Sequence, residues 1–297
     1  MVGSRDFKVW PMACSYRDLS AATGIDFSAI IGIFEAHPLF LDGARHKVAR
    51  ASAAKFLSSN RRANEAVVDA VLDDVMAKVD ARHGDFDLLA ELGDVVSSVL
   101  VQSYCGTRDS LVPLAESIQG LFLPKTPLRV RSKTNELLHA VIDEDGKEAL
   151  DEMLLAILGL RALSGGLVLS LHRVVSENNG MRLCDITFPE TFNESILRFA
   201  DRVSDKPVVV DGCPYSAGTV FRCVTFDPDY SPESNAQNLF GAGAHLCLGR
   251  PLSQYVWDQM VARLSKSQRR VNAGEIVVSD FDYYIAPTTC LVSVSDT

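Results

Sequence analysis

The sequence has no excess of basic residues. Its 29 lysines and arginines stand against 38 aspartates and glutamates, which gives a net charge of −9. The basic footprint of a general nucleic-acid-binding protein is therefore missing, and we expect no nucleic-acid partner. The first residues contain no apolar stretch typical of a secretory signal. Because the seven cysteines are scattered and odd in number, we expect a cytoplasmic protein with mostly free thiols.

Several common functional motifs are also missing. There is no Cys-x-x-Cys pair, which argues against a structural zinc site. No Gly-Lys-Ser/Thr is present for a phosphate-binding loop. Gly241-Ala242-Gly243 has Leu246 where a dinucleotide fingerprint needs glycine, and Ala162-Leu163-Ser164-Gly165-Gly166 lacks the first glycine of a nucleophile elbow. The sequence thus gives no support to these nucleotide-binding and hydrolase classes.

The composition that remains is that of an ordinary globular protein. Hydrophobic residues make up 47% and charged residues 23% of the 297 residues, so the chain can bury a sizeable core. We find no repeat, no low-complexity tract and no clear linker. We therefore expect one domain over residues 1–297, mainly α-helical with a small β portion.

Helices are predicted over the first two thirds of the chain. Apolar residues spaced three and four apart predict helices over 64–80, 88–104 and 134–142. A nearly continuous apolar run predicts a long helix over 150–175, and a further helix is predicted over 192–200. These segments account for most of the expected fold.

The apolar run over 154–171 is almost long enough to cross a membrane. Arg161 lies near its middle, and an arginine at the centre of a bilayer costs about 2.5–3.5 kcal/mol on insertion scales. We therefore interpret this segment as a buried core helix and expect no membrane partner.

The β portion is predicted after Lys206. Val208-Val209-Val210 runs into Asp211-Gly212, and the segment 219–225 is rich in β-branched and aromatic residues, which together predict a hairpin. The rest of the chain is predicted to form, in order, a loop (226–244), a helix beginning near Pro251 (251–264) and two strands (275–279 and 290–294).

One stretch carries a chemical signal, and it reads Phe240-Gly241-Ala242-Gly243-Ala244-His245-Leu246-Cys247-Leu248-Gly249-Arg250-Pro251-Leu252. A cysteine just before a helix gains stabilisation of its thiolate from the helix dipole and the free N–H groups. The glycines let the backbone approach a flat ligand closely, and Phe240 can shield the sulfur. The alternative is a buried cysteine in a glycine-rich loop. The joint spacing favours a thiolate that binds iron.

This stretch resembles the cysteine-ligand loop of the cytochrome P-450 family, Phe-x-x-Gly-x-x-x-Cys-x-Gly. The resemblance implies a mainly α, reduced P-450-like fold that binds haem b. It implies that Cys247 is the axial iron ligand, that Phe240 packs over the sulfur, and that His245 reaches a haem propionate. The remaining implied haem contacts are Gly241, Gly243 and Gly249.

Two further segments resemble propionate-binding parts of the family. Asp42-Gly43-Ala44-Arg45-His46-Lys47-Val48-Ala49-Arg50 is similar to Asp-Pro-Pro-x-His-x-x-x-Arg, and Arg202-Val203-Ser204-Asp205 is similar to Arg-Val-Ala-x. His46 and Arg50 lie four residues apart on one helix face, where two cations repel unless an anion lies between them. The resemblance implies that His46, Arg50 and Arg202 bind propionates. The alternative for His46 and Arg50 is a solvated basic face.

Other positions depart from the family. Leu158-Gly159-Leu160-Arg161-Ala162 aligns with the oxygen-activating Ala/Gly-Gly-x-Asp/Glu-Thr, so Arg161 replaces the acid and Ala162 the threonine. Ala162 cannot form a side-chain hydrogen bond, and Arg161 cannot release its proton near neutral pH. We expect Arg161 either to be buried with a partner or to face a cavity. Its candidate partners are a substrate carboxylate, a haem propionate, an iron-bound oxygen species and Glu152.

The scaffold is also reduced by this comparison. Asn193-Glu194-Ser195-Ile196-Leu197-Arg198 resembles the Glu-x-x-Arg helix of the family, with Ser195 where glutamate belongs. Parts of the N-terminal sheet and of the distal lid have no counterpart in the sequence. A shortened lid can expose apolar surface for self-association into a homo-oligomer, and it can admit a large or carrier-bound substrate.

Three functions remain open at this stage. The first is a heme-thiolate oxidoreductase with an altered distal site at Arg161 and Ala162, which acts on a small-molecule or carrier-bound biosynthetic intermediate by peroxide-dependent or redox-neutral chemistry. The second is a reductase-dependent monooxygenase served by a ferredoxin-type donor. The third is a non-catalytic protein of the same fold that binds a partner. Five basic residues can form a docking patch for this donor, and the alternative is an ordinary solvated helix surface. They are Arg45, Lys47, Lys55, Arg61 and Arg62.

Overall fold

The structure is a computed structural model, and it describes residues 6–106, 111–122, 125–225, 238–280 and 284–296. The helices in these residues are α1 (Met12–Thr23), α2 (Ser28–Ala36), α3 (Gly43–Ser59), α4 (Arg61–Ala81), α5 (Asp94–Cys105), α6 (Leu111–Ile118), α7 (Leu128–Asp145), α8 (Lys147–Glu177) and α9 (Arg250–Leu264). The strands are β1 (Phe7–Val9), β2 (Gly84–Asp87), β3 (Phe199–Ser204), β4 (Val208–Val210), β5 (Cys213–Tyr215), β6 (Val220–Val224), β7 (Arg270–Asp280) and β8 (Ile285–Ser295).

Helix α8 forms the centre of the core, as the apolar run over 150–175 predicts. It is long and apolar enough to cross a membrane, but 72% of its most apolar window is buried inside the protein. Helices α5 and α7 and strands β7 and β8 all pack against it. Most of the stability of such a helix comes from burying its apolar side chains against these neighbours, and less comes from the intrinsic helix propensity of its residues.

Small residues on α8 allow its neighbours to approach closely. A Cβ added at Gly93, in the turn before α5, would lie 2.6 Å from Ser164 Oγ and 2.8 Å from Val168 Cγ1. A Cβ added at Gly165 would overlap Cγ2 of Ile196. The stretch around Ser164 and Gly165 is therefore a contact surface for two different segments of the chain.

The periodicity prediction is confirmed for α4, which buries Val68, Leu72, Val75 and Val79 on one face. Helix α9 packs against α4. Their contact includes Arg263, which donates from Nη2 to Asp69 Oδ1 at 3.1 Å and from Nε to Asp73 Oδ1 at 2.8 Å.

The helix predicted over 88–104 is divided in two. A π-helical turn covers Leu89–Gly93, and α5 follows from Asp94 to Cys105. The wider turn lies against α8, with Leu92 and Gly93 buried. Helix α7 is longer than the predicted segment 134–142, since it runs from Leu128 to Asp145.

The helix predicted over 192–200 is wrong. Residues 193–198 are irregular, and Phe199–Ser204 form β3, the middle strand between β1 and β6. The register pairs Val9 with Arg202 and Ala200 with Cys223. The segment that resembles the Glu-x-x-Arg helix is therefore not helical here. Pairing with two distant strands outweighs the local helix pattern.

The hairpin after Lys206 is smaller than predicted. Strand β4 pairs with β5 through Asp211-Gly212, whose φ angles of 51° and 79° are those of a type I′ turn. The segment 219–225 contributes β6, which pairs with β3 instead. The two closing strands, β7 and β8, are longer than predicted and form a sheet in the order β2-β8-β7. Most of the predicted loop over 226–244 lies outside the described residues.

Candidate functional site

Cys247 lies in a tight loop immediately before α9. The backbone N–H of Cys247 donates to the carbonyl of Phe240 at 2.8 Å, and the N–H of Gly241 donates to the carbonyl of Asn238 at 2.8 Å. Gly241 and Gly243 have φ angles of 71° and 65°, which other residues adopt only with strain. The local backbone conformation thus explains why glycine occupies these positions, because it allows the loop to fold back on itself.

The Cys247 side chain is exposed in this loop, and its sulfur accepts hydrogen bonds from the backbone N–H groups of Gly249 and Arg250. The surrounding protein atoms raise the pKa of the thiol, whereas these N–H groups and the charge of Arg50 act in the opposite direction. The guanidinium of Arg250 also lies 5.7 Å from the centroid of the Phe240 ring. The loop therefore presents a sulfur that is surrounded by groups suited to negative charge.

A basic cluster lies beside this loop. The rings of His46 and His245 are 4.3 Å apart between centroids, and His245 Nε2 lies 3.4 Å from Asp42 Oδ1. Arg50 donates from Nη2 to the carbonyl of Leu246 at 2.6 Å. Helix α3 therefore holds the loop of Cys247 directly, one residue before the cysteine.

Arg202 joins this cluster from β3. Its Nη1 donates to the carbonyl of Asp201 at 2.9 Å, and its charge is felt at His245, whose pKa it lowers. Burial is the main cause of the lowered pKa of both histidines, with Arg50 adding to the effect at His46. The structure thus brings together His46, Arg50, Arg202 and His245, and their propionate contacts remain a prediction.

These residues fit a haem group on two counts. The sulfur before α9 is exposed and supported by N–H donors, as a thiolate ligand requires. His46 is only 4% exposed, and its Nε2 has no hydrogen-bond partner among the described residues. A buried polar atom without a partner is costly, and a carboxylate oxygen would satisfy it.

A cavity of about 360 Å³ lies between α8 and the strands β1, β3 and β8. Its walls are mostly apolar and include Trp10, Leu39, Phe40, Ile157 and Leu197. Of the predicted site residues in the described part of the chain, Arg161, Ala162 and Arg202 line this cavity. Arg202 therefore belongs both to the basic cluster and to the cavity wall, while Cys247 and the histidines lie outside the lining.

Arg161 is exposed to this cavity and is not buried with a partner. In the part of the chain that the structure describes, no carboxylate oxygen lies within 4.0 Å of its guanidinium nitrogens. Glu152 is not its partner, because nine residues of helix separate the two by about 14 Å along the axis and place them on opposite faces. Burial raises the pKa values of Asp94 and Tyr284, and the charge of Arg161 opposes this rise at both groups.

Asp94 is an acidic residue of the cavity wall that the sequence did not indicate. It is the first residue of α5, it is half-buried, and it lines the cavity together with Arg161. Burial raises the pKa of its carboxyl, and the nearby Asp87 raises it further, while Arg161 opposes both. The position carried no distinctive signal, since an acid in the first turn of a helix is common.

No protein-family model matches this sequence, and no curated protein matches it. Solved structures do match it. P450BioI, in complex with an acyl carrier protein ligated to hexadec-9Z-enoic acid, is 15% identical and gives a TM-score of 0.74, with 99% of this chain and 88% of that chain covered. P450 RauA, complexed with a biosynthetic intermediate of aurachin RE, is 16% identical with a TM-score of 0.70 and the same coverage. The fold is that of the cytochrome P450s.

A third P450 supports the same assignment. CxnD, described as the enzyme for C–S bond formation in chuangxinmycin biosynthesis, is 16% identical and gives a TM-score of 0.66, with 98% of this chain and 84% of that chain covered. The P450 fold confirms the resemblance carried by residues 240–252 and the prediction of a mainly α protein with a small β portion. Between α8 and β3, the described chain has only one short 3₁₀ turn, Leu183–Asp185, so this P450 fold is a shortened one.

Proposed function

We propose that this chain is a heme-thiolate oxidoreductase that binds haem b through Cys247. The observation that carries the proposal is the exposed sulfur of Cys247 with its two backbone N–H donors, in a chain that has a P450 fold. When bound, the haem iron supplies the redox or Lewis-acid chemistry. The residues of this chain hold the group, shield the sulfur and position the substrate.

The residues that hold the group lie on three segments. His46 and Arg50 come from α3, Arg202 from β3 and His245 from the cysteine loop, and we assign all four to the propionates. Phe240 and the backbone of Gly241, Gly243 and Gly249 belong to the same loop as the sulfur, and we assign them to the thiolate side of the group. Because both histidines have lowered pKa values, a bound dianion would raise them by favouring the protonated rings.

On the distal side, the proposal assigns catalysis to Arg161 and Ala162 as an altered site. Helix α8 offers the cavity a fixed positive charge at Arg161 and a methyl group at Ala162, without a carboxyl or hydroxyl at these two positions. Arg161 can anchor an anionic group or stabilise charge that develops on the substrate, but it cannot pass on a proton. This chemistry suits a peroxide-dependent or redox-neutral reaction better than a proton-coupled oxygen cycle.

The substrate is proposed to be a small-molecule or carrier-bound biosynthetic intermediate. The mostly apolar cavity of about 360 Å³ supports a largely apolar body of modest size. Two of the matched structures carry related ligands in their descriptions, an acyl chain on a carrier protein and a biosynthetic intermediate. We also retain cytoplasmic localisation as part of the proposal.

A reductase-dependent monooxygenase is the second candidate. The observation in its favour is a set of exposed basic residues on α3, which holds the cysteine loop through Arg50, and on the adjoining α4. These residues are Arg45, Lys47, Lys55, Arg61 and Arg62. Such a patch can attract an acidic ferredoxin-type donor. Two of its members are already engaged, since Arg45 donates to the carbonyl of Glu35 and Arg61 pairs with Glu65.

The test of the proposal is the absorption spectrum of the reduced carbonyl complex. We expect a strongly red-shifted Soret band, which the Cys247→Ala variant loses. The matched control is Cys213→Ala, which removes an exposed thiol from β5 and should leave the band unchanged. A wild-type protein that neither retains nor accepts haem would contradict the proposal. Turnover with peroxide is then compared with turnover with reductase and ferredoxin, and coupled turnover with the donor alone selects the monooxygenase.

A further inference from the structure

Asp94 and Arg161 carry opposite charges in the wall of the cavity beside α8, and they do not pair with each other. Asp94 comes from the start of α5 and Arg161 from the middle of α8, and both belong to the cavity wall. The charge of Arg161 acts on Asp94, where it opposes the rise in the pKa of the carboxyl that burial causes. Within the described residues, no nitrogen of Arg161 lies within 4.0 Å of an oxygen of Asp94, and neither side chain forms a hydrogen bond or ion pair elsewhere.

This arrangement leaves hydrogen-bonding capacity unused on both sides. A carboxylate accepts several hydrogen bonds, and a guanidinium donates up to five. Asp94 is half-buried, so a missing donor has a cost that an exposed carboxylate would not have. The neighbouring wall residues Ile157, Leu158 and Ala162 are apolar and offer neither group a partner.

We propose that this cavity binds a free zwitterion of the amino-acid type with an apolar body, its carboxylate at Arg161 and its ammonium group at Asp94. The assignment as a substrate rests on the proposed function, but the binding site does not depend on it. Asp94 and Arg161 together bind both charged groups of such a molecule, and the apolar wall of the cavity contacts its side chain. Charge-assisted contacts of this kind are stronger than neutral hydrogen bonds.

The two substrate forms left open above differ in how well they fit these charges. An acyl group carried as a thioester has lost the carboxylate at that end, so its carbonyl oxygen offers Arg161 only a neutral acceptor. An amphipathic zwitterion satisfies both Asp94 and Arg161. The geometry therefore favours a free small molecule over a carrier-bound one.

The test uses isothermal titration calorimetry on the purified protein, with whatever haem it carries. Four probes share one alkyl chain: 2-aminooctanoate, octanoate, octylamine and the methyl ester of 2-aminooctanoate. We expect 2-aminooctanoate to bind at least about tenfold more tightly than each of the other three, because each of them loses one charged contact.

Variants assign each charge to its residue. Asp94→Asn should abolish the preference for 2-aminooctanoate over octanoate while keeping the preference over octylamine, and Arg161→Gln should do the reverse. Asp94→Glu and Arg161→Lys should retain part of each preference. The matched controls are Glu152→Gln and Arg129→Gln, two exposed positions outside the cavity wall that should leave all four affinities unchanged.

Three outcomes would overturn the inference: equal binding of all four probes, binding of none of them, or equal binding of the amino acid and its methyl ester. A fourth is an Asp94→Asn variant that loses turnover but still binds 2-aminooctanoate more tightly than octanoate. That result would make Asp94 a proton carrier and not the partner of the ammonium group. Haem content and the reduced carbonyl spectrum are recorded on the same samples. A failure of the proposed function therefore shows in the spectrum, and a failure of this inference shows in the calorimetry.

Discussion

Helix α8 offers a stability test within a single helix, because two of its glycines have opposite surroundings. A Cβ at Gly165 would overlap Cγ2 of Ile196, whereas a Cβ at Gly159 would have no atom within 4 Å. Replacing a helical glycine by alanine stabilises a protein by about 0.5–1 kcal/mol when there is room. Overpacking a dense contact costs about 1–3 kcal/mol. The two effects compete only at Gly165.

The stabilisation that comes from replacing a helical glycine by alanine is the same for both variants, so it cancels when their free energies of unfolding are compared. We expect Gly159→Ala to be more stable than the wild type, and Gly165→Ala to be less stable than Gly159→Ala by about 1–3 kcal/mol, the full cost of the overlap. Urea-induced unfolding of the three proteins measures this difference. A Gly165→Ala variant as stable as Gly159→Ala would refute the reasoning.

A double-variant cycle identifies the cause of the loss. In an Ile196→Ala background the clashing methyl group is gone, so Gly165→Ala should cost little, with a coupling energy of about 0.5–3 kcal/mol. An unchanged cost in that background would show that Ile196 is not the residue displaced. Because Ile196 also lines the cavity, the single variant should weaken ligand binding there as well.

Three further outcomes are expected. Burial lowers the pKa of His37 from 6.5 to about 4, so between these pH values the unfolded chain binds more protons than the folded one. The free energy of unfolding should therefore fall by up to about 3 kcal/mol as the pH drops from 6.5 to 4. Urea unfolding of a His37→Gln variant should show a shallower fall, and equal slopes for the two proteins would contradict this. Burial, with a smaller effect of a nearby acid, raises the pKa of Cys290 to about 12, so iodoacetamide at pH 8 should modify exposed Cys14 and spare Cys290 in peptide mapping. Arg50→Ala removes the bond to the carbonyl of Leu246 and should speed haem release to apomyoglobin without shifting the Soret band of the reduced carbonyl complex; a shifted band would assign Arg50 to the sulfur ligand itself.

The parts of the fold that were predictable are those with strong local patterns. Apolar spacing located α4, and the apolar run located α8, because each helix buries a face that is continuous in sequence. The failures are segments whose partners are distant. Phe199–Ser204 became a strand because β1 and β6 lie on either side of it, and no local pattern records a pairing of that kind.

The candidate site divides in the same way. The cysteine loop was recognisable because its glycines, its aromatic residue and its cysteine lie within ten residues. Asp94 was not, since it shares a cavity with Arg161 only after α5 packs against α8. The irregular course of residues 193–198 was also unpredictable, because it leads into a strand whose partners are distant and because Ile196 packs against Gly165 of α8.

The hydrogen bond between Arg50 and Leu246 joins residues that are 196 positions apart, and the bond from the Cys290 N–H to Asp87 joins residues 203 apart. Contacts of such long range form only after most of the chain has been synthesised. Closing the intervening loop costs conformational entropy, and this cost is offset only when the contact forms. Helices α4 and α8 have local patterns and can form early, so their apolar faces stay accessible to chaperones until then. The contact that holds the Cys247 loop to α3 therefore cannot form before Leu246 has been synthesised, late in the chain.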